Sequence, residues 1–377
     1  MKRKKLVIIS HTNHYQDGAS VKGWGPTISE VNFLADYWDE VVHVGCLNAG
    51  EVPSSALPYT KDNIKFAAIP PYGGKSLLSK LLIFTKIPKI IAVVLKNTKG
   101  ASEVQLRLPT SMGLFLLPLF SFFIARKFIF WVKYAGNWEG ANQPLSYRLQ
   151  KNWLQKNYAK CNVTINGFWT NQPLHCHSFE NPCLTESDVL LGQSVALQKD
   201  FSAGFVFVFV GRLENAKGVQ RIIDALKIIP QDKIKMVHFV GDGPKKEAYL
   251  AQLDFLQDKY KFHGFLGKSA VHEVLAMSHF FLLPSASEGF PKALAEAASY
   301  GVIPVASNVG SISHYVTEEN GFVWDFEGKI SYAAILEKAI ETEPLLLKQI
   351  SNRAICIGEK FTFEKYREKL EELVFSE

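Results

Sequence analysis

The sequence is poor in the features that mark small extracellular scaffolds, membrane spans and metal centres. Its five cysteines are Cys46, Cys161, Cys176, Cys183 and Cys356. They are odd in number and form no CxxC pair, which argues against a disulfide framework and fits a reducing compartment. His175-Cys176-His177 matches no common zinc spacing, so no metal site is expected there. The longest apolar run, Gly113 to Ala125, is interrupted by Pro118 and is well short of the ~20 residues that span a bilayer. Leu6-Val-Ile-Ile-Ser10 after the basic first residues is one strand long, not a secretory h-region. The expected location is therefore cytoplasmic. No G-x-G-x-x-G follows a strand, which argues against NAD or FAD. No segment is of low complexity, and no nucleic-acid-binding signature is present, so nucleic acid is not an expected partner.

What remains is an ordinary globular composition: 377 residues, 47% hydrophobic and 21% charged, enough for two or three domains. Charge is divided unevenly. Residues 1–196 carry 21 Lys/Arg against 12 Asp/Glu, whereas residues 197–377 carry 21 against 24. Nine basic residues fall between Lys61 and Arg107 against only Asp62 and Glu103, implying an anionic partner for the first half alone. In Lys75–Lys96, lysines alternate with apolar residues at helical spacing, and Pro88 is expected to kink or split that helix. Two readings stay open: an interfacial helix on anionic lipid at the inner face of the membrane, or an amphipathic helix covering a sheet.

Strand and helix patterns alternate twice. The first series runs from Leu6–Ser10 through a helix over Thr27–Trp38 and strands over 40–45, 104–109, 128–134 and 162–166. The second restarts at Phe205-Val-Phe-Val-Phe-Val-Gly211. This predicts α/β architecture with two doubly wound, Rossmann-like domains. The expected boundaries are a first Rossmann-like domain over 1–196, a second over 197–360, and a C-terminal helix over 361–377 returning to the first.

Three glycine-bearing strand ends in the second half carry ligand chemistry. Gly211-Arg212 precedes Lys217-Gly218 at a helix start. A guanidinium, an ammonium and free helix N–H groups together make a diphosphate site; a solvent-exposed turn is the plainer alternative. Gly241-Asp242-Gly243-Pro244 is a strand-to-helix turn. The third end is Glu288-Gly289-Phe290-Pro291-Lys292, followed by Glu296 in an Ala-rich helix. Glu288 reads as a ligand-facing carboxylate or an N-cap. Glu296 reads as a solvated position or, in so apolar a helix, as a carboxylate seeking a partner such as a ribose diol.

Glu288 and Glu296 form an E-x7-E element. With 211–218 (GRLENAKG), 241–244 (GDGP), 262–266 (FHGFL) and the Gly310-Ser311 turn, it resembles the donor site of retaining glycosyltransferases of family 4, which have the GT-B fold of two Rossmann-like domains facing across a cleft. The resemblance covers about a third of the chain closely. It implies an enzyme that moves a sugar from a UDP- or GDP-linked donor to a saccharide or lipid-linked saccharide acceptor, with retention, in polysaccharide or glycolipid biosynthesis. No cofactor and no metal are implied, and no DxD is present. Arg212 and Lys217 would hold the diphosphate and stabilise it as leaving group, Glu296 the ribose, and Glu288, Gly289, Phe290 and Pro291 the sugar, with Lys292 beside them. Gly211 would let backbone approach the donor, and Gly241, Asp242, Gly243, Phe265 and Leu266 would line the base side. Gly25, in Gly23-Trp24-Gly25-Pro26, sits where the family often has a glycine-rich loop.

The sequence departs from the family in one place. Many members have a His after the first-domain strand that faces the donor; here Lys133 or Tyr134 stands there. Asn137 and Trp138 read as a sugar platform or as a packed aromatic loop. Arg107, a charge at the end of a buried strand, faces either the cleft or a carboxylate partner, and with His11 it completes the acceptor-side candidates. A non-catalytic GT-B scaffold, or a nucleotide-sugar epimerase on the same scaffold, are the alternative functions.

Overall fold

A computed structural model describes residues 4–73, 83–124, 127–138 and 143–375. The chain forms two compact units, residues 1–180 with 366–377 and residues 181–365. The division thus falls earlier than the predicted 196/197. The physical reason is the helix Glu186–Gln198. It is opened by Thr185 and Asp188 in a reciprocal capping box, and its Gly192 packs so closely that a Cβ there would lie 2.2 Å from the Ser299 carbonyl of the second unit.

The first unit holds strands β1 (Lys5–Asp17), β2 (Ser20–Trp24), β3 (Glu40–Asn48), β4 (Ala56–Pro58), β5 (Ile64–Ile69), β6 (Glu103–Leu108), β7 (Ile129–Tyr134), β8 (Asn162–Asn166) and β9 (Cys176–Phe179). Its parallel order is β5-β3-β1-β6-β7-β8-β9, with β2 and β4 added antiparallel alongside the end of β1. β1 is longer than its apolar core, Leu6–Ser10. Its polar second half pairs with β2 as a hairpin, which hydrophobic alternation alone does not signal. The helix over Gly25–Leu34 follows, shorter than the expected Thr27–Trp38. The helix Ile83–Thr98 is continuous through Pro88, so of the expected kink or split the split does not occur, and it buries Ile83, Ile90 and Val94. The preceding part of the basic stretch, with Lys75 and Lys80, lies outside the described residues. Tyr366, Leu370 and Val374 of the C-terminal helix Phe363–Leu373 and its end pack with Leu6, Ile8 and Trp131 in one buried cluster.

The second unit is a six-stranded parallel sheet of β10 (Phe205–Val210), β11 (Ile234–Val240), β12 (Tyr260–Gly264), β13 (Phe280–Leu283), β14 (Ile303–Ser307) and β15 (Phe322–Trp324), in the order β12-β11-β10-β13-β14-β15. Counted within the unit this is 3-2-1-4-5-6, the doubly wound order whose ligand crevice lies at the reversal between strands 1 and 4. Phe207, Phe209 and Phe239 are fully buried on one face against helices 219–228 and 332–341. Each such ring contributes roughly 1.5–3 kcal/mol by burial. Among the described residues, no helix is long and apolar enough to cross a membrane.

Candidate functional site

The reversal point of the second unit falls between β10 and β13. The loops leaving these two strands carry Lys217 and Glu288, and the structure joins them: Lys217 Nζ lies 2.6 Å from Glu288 Oε1. Backbone contacts fix this meeting. Ala286 N–H donates to the Ala216 carbonyl at 2.8 Å. Gly218 adopts φ +77°, and a Cβ there would lie 2.0 Å from the Pro284 carbonyl, so only glycine lets the two loops touch. On the other side of Glu288, Ser311 donates from its N–H and Oγ to the Gly289 carbonyl at 3.0 and 2.8 Å. Glu288 is buried and Lys217 partly exposed.

Glu288 does not cap the helix that follows. That helix runs Lys292–Ser299 with Pro291 at its N-cap and no side-chain cap. The N-cap alternative for Glu288 is therefore replaced by the ion pair. Phe290 turns inward and stacks on Phe361, with ring centroids 4.2 Å apart. It therefore anchors the loop, leaving the N–H groups of Gly289 and Phe290 as its part turned to ligand binding, since the Gly289 and Pro291 carbonyls already accept from Ser311 and Leu294. Lys292 donates to the Pro182 carbonyl at 2.7 Å, which fastens the start of helix 292–299 to the segment before helix 186–198.

Arg212 is the open cation of the site. Its side chain is 71% exposed and its ion pair with Glu214 is long, 3.5 Å. Gly241 and Gly243, read as a strand-to-helix turn, also allow a close packing of loops. Gly241, at φ +126°, would place a Cβ 2.0 Å from the Gly211 carbonyl, and one on Gly243 would lie 2.5 Å from the Leu213 carbonyl. These glycines let the loops after β10 and β11 pack on one another, which in turn sets Arg212. Asp242 is exposed and accepts from the Gly243 N–H at 2.7 Å. Phe265 is exposed and Leu266 half-buried just after β12.

The charged groups that bear on Glu296 are Lys268, Lys292 and Asp188. Desolvation raises its carboxyl above the usual range, against the lowering effect of the two lysines. Asp188 and Lys268 themselves pair at 2.6 Å. Sequence reasoning passed over both; the signal was the capping box at Thr185-x-x-Asp188, which places a carboxylate at a helix start.

In the first unit the candidates are distributed otherwise. Arg107 Nη2 donates to Glu30 Oε1 at 2.9 Å, and Lys133 Nζ donates to both Glu30 oxygens at 2.8 and 2.7 Å. All three residues are buried. Arg107 and Lys133 thus share a carboxylate in the interior, and of the readings made for Arg107 the carboxylate partner is the one observed. Glu30 was missed, although an acid within the apolar face Ile28, Val31, Leu34 was there to read. Tyr134 and Trp138 are likewise buried and meet edge to face at 4.9 Å. The packed aromatic loop replaces the sugar platform, and Asn137 beside it accepts at its carbonyl from Gln143. Gly25 donates its N–H to the Ser55 carbonyl at 2.9 Å at a helix start. His11 is exposed after the apolar half of β1. His14 is fully buried between the Thr12 carbonyl and Tyr59 Oη, which also binds His43 Nδ1 at 2.8 Å. Burial lowers the His14 pKa to about 4, so this network is neutral at pH 7.

Residues 198–355 match the family described as glycosyl transferases group 1. A 2-deoxystreptamine N-acetyl-D-glucosaminyltransferase of Niallia circulans is 31% identical over 160 residues, 41% of this chain and 38% of that protein. The gpi3 subunit of phosphatidylinositol N-acetylglucosaminyltransferase of Schizosaccharomyces pombe is 32% identical over 123 residues, 30% of this chain and 25% of that protein. The chain thus matches well under half the length of these curated relatives. Among solved structures, Anabaena HepE in complex with UDP-glucose superposes with a TM-score of 0.67 at 18% identity, over 99% of this chain and 100% of that one. The sucrose-phosphate synthase of Thermosynechococcus elongatus superposes with a TM-score of 0.71 at 16% identity, over 98% of each chain. At these identities the structural likeness shows the fold, which is GT-B. The sequence matches support a glycosyltransferase.

Proposed function

We propose that the protein is a retaining, metal-independent glycosyltransferase of family 4. It takes a sugar from a nucleoside-diphosphate donor, UDP- or GDP-linked, and passes it to a saccharide or lipid-linked saccharide. The observation that carries this reading is the Lys217–Glu288 pair at the strand-order reversal of the second unit, 2.6 Å apart and set by glycine-tight loops. HepE, whose solved complex holds UDP-glucose, supports a donor of this class.

In this mechanism Arg212 and Lys217 neutralise the departing diphosphate, a role that needs fixed cations aimed where charge develops. Glu288 orients Lys217 and meets the sugar hydroxyls together with the backbone N–H groups of Gly289 and Phe290. Glu296 accepts from the ribose diol, and a carboxyl raised by burial gains most from such donors. Asp242, Phe265 and Leu266 border the base. On the acceptor side, His11 is the candidate open to solvent, while Arg107 and Lys133 act by holding Glu30 and the sheet edge beneath it.

The test is release of nucleoside diphosphate from a donor panel with an oligosaccharide acceptor mixture, in chelator, with the anomeric configuration of the product read by NMR. Transfer with retention, lowered 10²–10³-fold in Glu288→Gln without a change in melting temperature, is expected. An inverted product would refute the retaining assignment. Full activity in Glu288→Gln would remove Glu288 from the site.

A further inference from the structure

Residues 104–179 carry eight Lys/Arg and one acidic residue, Glu139. Among the described residues of this stretch there is no Asp or Glu at all. Arg107 and Lys133 face inward, but Lys127, Arg148, Lys156 and Lys160 are exposed. The same region presents an unusual apolar surface. The helix Gly113–Leu119 passes into a π-helical turn, Phe120–Ile124. Phe120 and Ile124 stay buried, whereas Phe122 and Phe123 are 66% and 76% exposed. The widened turn thus holds two adjacent rings outside the core.

The rings continue into a ridge. Phe122 lies edge to face with Trp153 at 5.7 Å, Trp153 with Tyr158 at 5.4 Å, and Lys156 Nζ stands 6.0 Å over the Tyr158 ring. Trp153 is fixed by its Nε1–H, which donates to Ser121 Oγ at 3.2 Å. A ridge of Phe, Trp and Tyr, edged by cations and with no acid among the described residues of 104–179, combines the two attractions that hold a protein to an anionic bilayer. Aromatic rings settle at the headgroup level, and each nearby Lys or Arg is drawn by the surface potential.

We infer that the Phe122–Phe123 turn and the Trp153–Tyr158 ridge, with Lys127 and Lys156, form a docking surface for anionic lipid membrane. This surface is distinct from the Lys61–Arg107 stretch that the sequence singled out, and it is independent of the donor chemistry proposed above. It commits the first unit to an interfacial attachment, in keeping with the lack of any spanning helix among the described residues.

The experiment is co-sedimentation of the full chain with phosphatidylcholine vesicles, with and without phosphatidylglycerol. Wild type is expected to sediment with the phosphatidylglycerol vesicles and stay in solution with phosphatidylcholine alone. The double variant Phe122→Ser/Phe123→Ser is expected to bind at least tenfold more weakly, and Lys127→Glu/Lys156→Glu to lose the lipid-charge dependence. Lys89→Glu/Lys96→Glu, on the neighbouring basic helix, is expected to change binding less than twofold. The rings are exposed, so melting temperature and the response to UDP should stay as in wild type, which keeps this test separate from that of the donor site. The inference is overturned if wild type ignores anionic vesicles, or if the double Phe variant binds them as wild type does. It is equally overturned if the Phe substitutions abolish self-association while leaving vesicle binding unchanged, since a second copy of the chain would then be the occupant.

Discussion

The two units repeat one parallel strand order, 3-2-1-4-5-6, to which the first adds a seventh parallel strand and the antiparallel β2 and β4, yet they place their charges in opposite ways. In the second unit the loops at the reversal point leave Arg212 in solvent and Lys217 partly open. In the first unit the equivalent reversal, between β1 and β6, places Arg107 inside and locks it with Lys133 onto Glu30. The same topology therefore builds a presenting edge in one unit and a braced edge in the other. A cation at a strand end is a ligand candidate only when the adjoining helix does not already carry its carboxylate.

This contrast is broken most forcefully at Glu30. Glu30→Ala would leave two buried cations without their shared carboxylate and should cost about 3–5 kcal/mol in urea unfolding. A loss below about 1 kcal/mol would mean the first unit is not braced by this cluster.

The glycine-set geometry of the second unit comes next. Gly241→Ala combines φ +126° with a 2.0 Å clash against the Gly211 carbonyl, and should cost on the order of 2–3 kcal/mol while weakening nucleotide binding. Gly50→Ala has a similar φ of +124° but open space around it, so it isolates the backbone term. Equal losses for the two would show that loop-on-loop packing contributes nothing.

The third effect is a pH response of the first unit. His14 is buried with its pKa lowered to about 4, burial being the main cause. The unfolded chain takes up the proton near the ordinary histidine value of about 6.5, so the stability due to neutral His14 is complete above that value and is lost as pH falls toward 4. By pH 5 the loss should reach about 2 kcal/mol. His14→Gln should flatten that part of the stability profile. A variant with an unchanged acid limb would remove His14 from the account.

How far the sequence could be read follows the same division. The second unit was legible because its site is local: Lys217 and Glu288 each follow a strongly apolar strand, and glycines mark the turns around them. Even there, what Gly241 and Gly243 do was hidden, since a close approach looks the same in sequence whether the neighbour is a ligand or another loop. In the first unit, spacing could not show that Glu30 pairs with Arg107 and Lys133 across long separations. Nor could it show that Trp138 turns inward. The Glu180/Asn181 division was also obscured, because helix 186–198 carries alternating polar and apolar residues with no composition break before it.

We propose that the open edge of the second unit, with Arg212 and Lys217, holds a nucleoside diphosphate. The most direct measurement is thermal stability in chelator against UDP, GDP and their sugar conjugates. A ligand at 100 times its dissociation constant adds about 2.7 kcal/mol, which is read as a clear rise in melting temperature. Such a rise is expected with UDP or GDP, reduced at least tenfold in apparent affinity by Arg212→Ala and by Lys217→Ala, and unchanged by His11→Ala. Absence of a rise with every nucleotide, or a rise that survives Lys217→Ala intact, would contradict it.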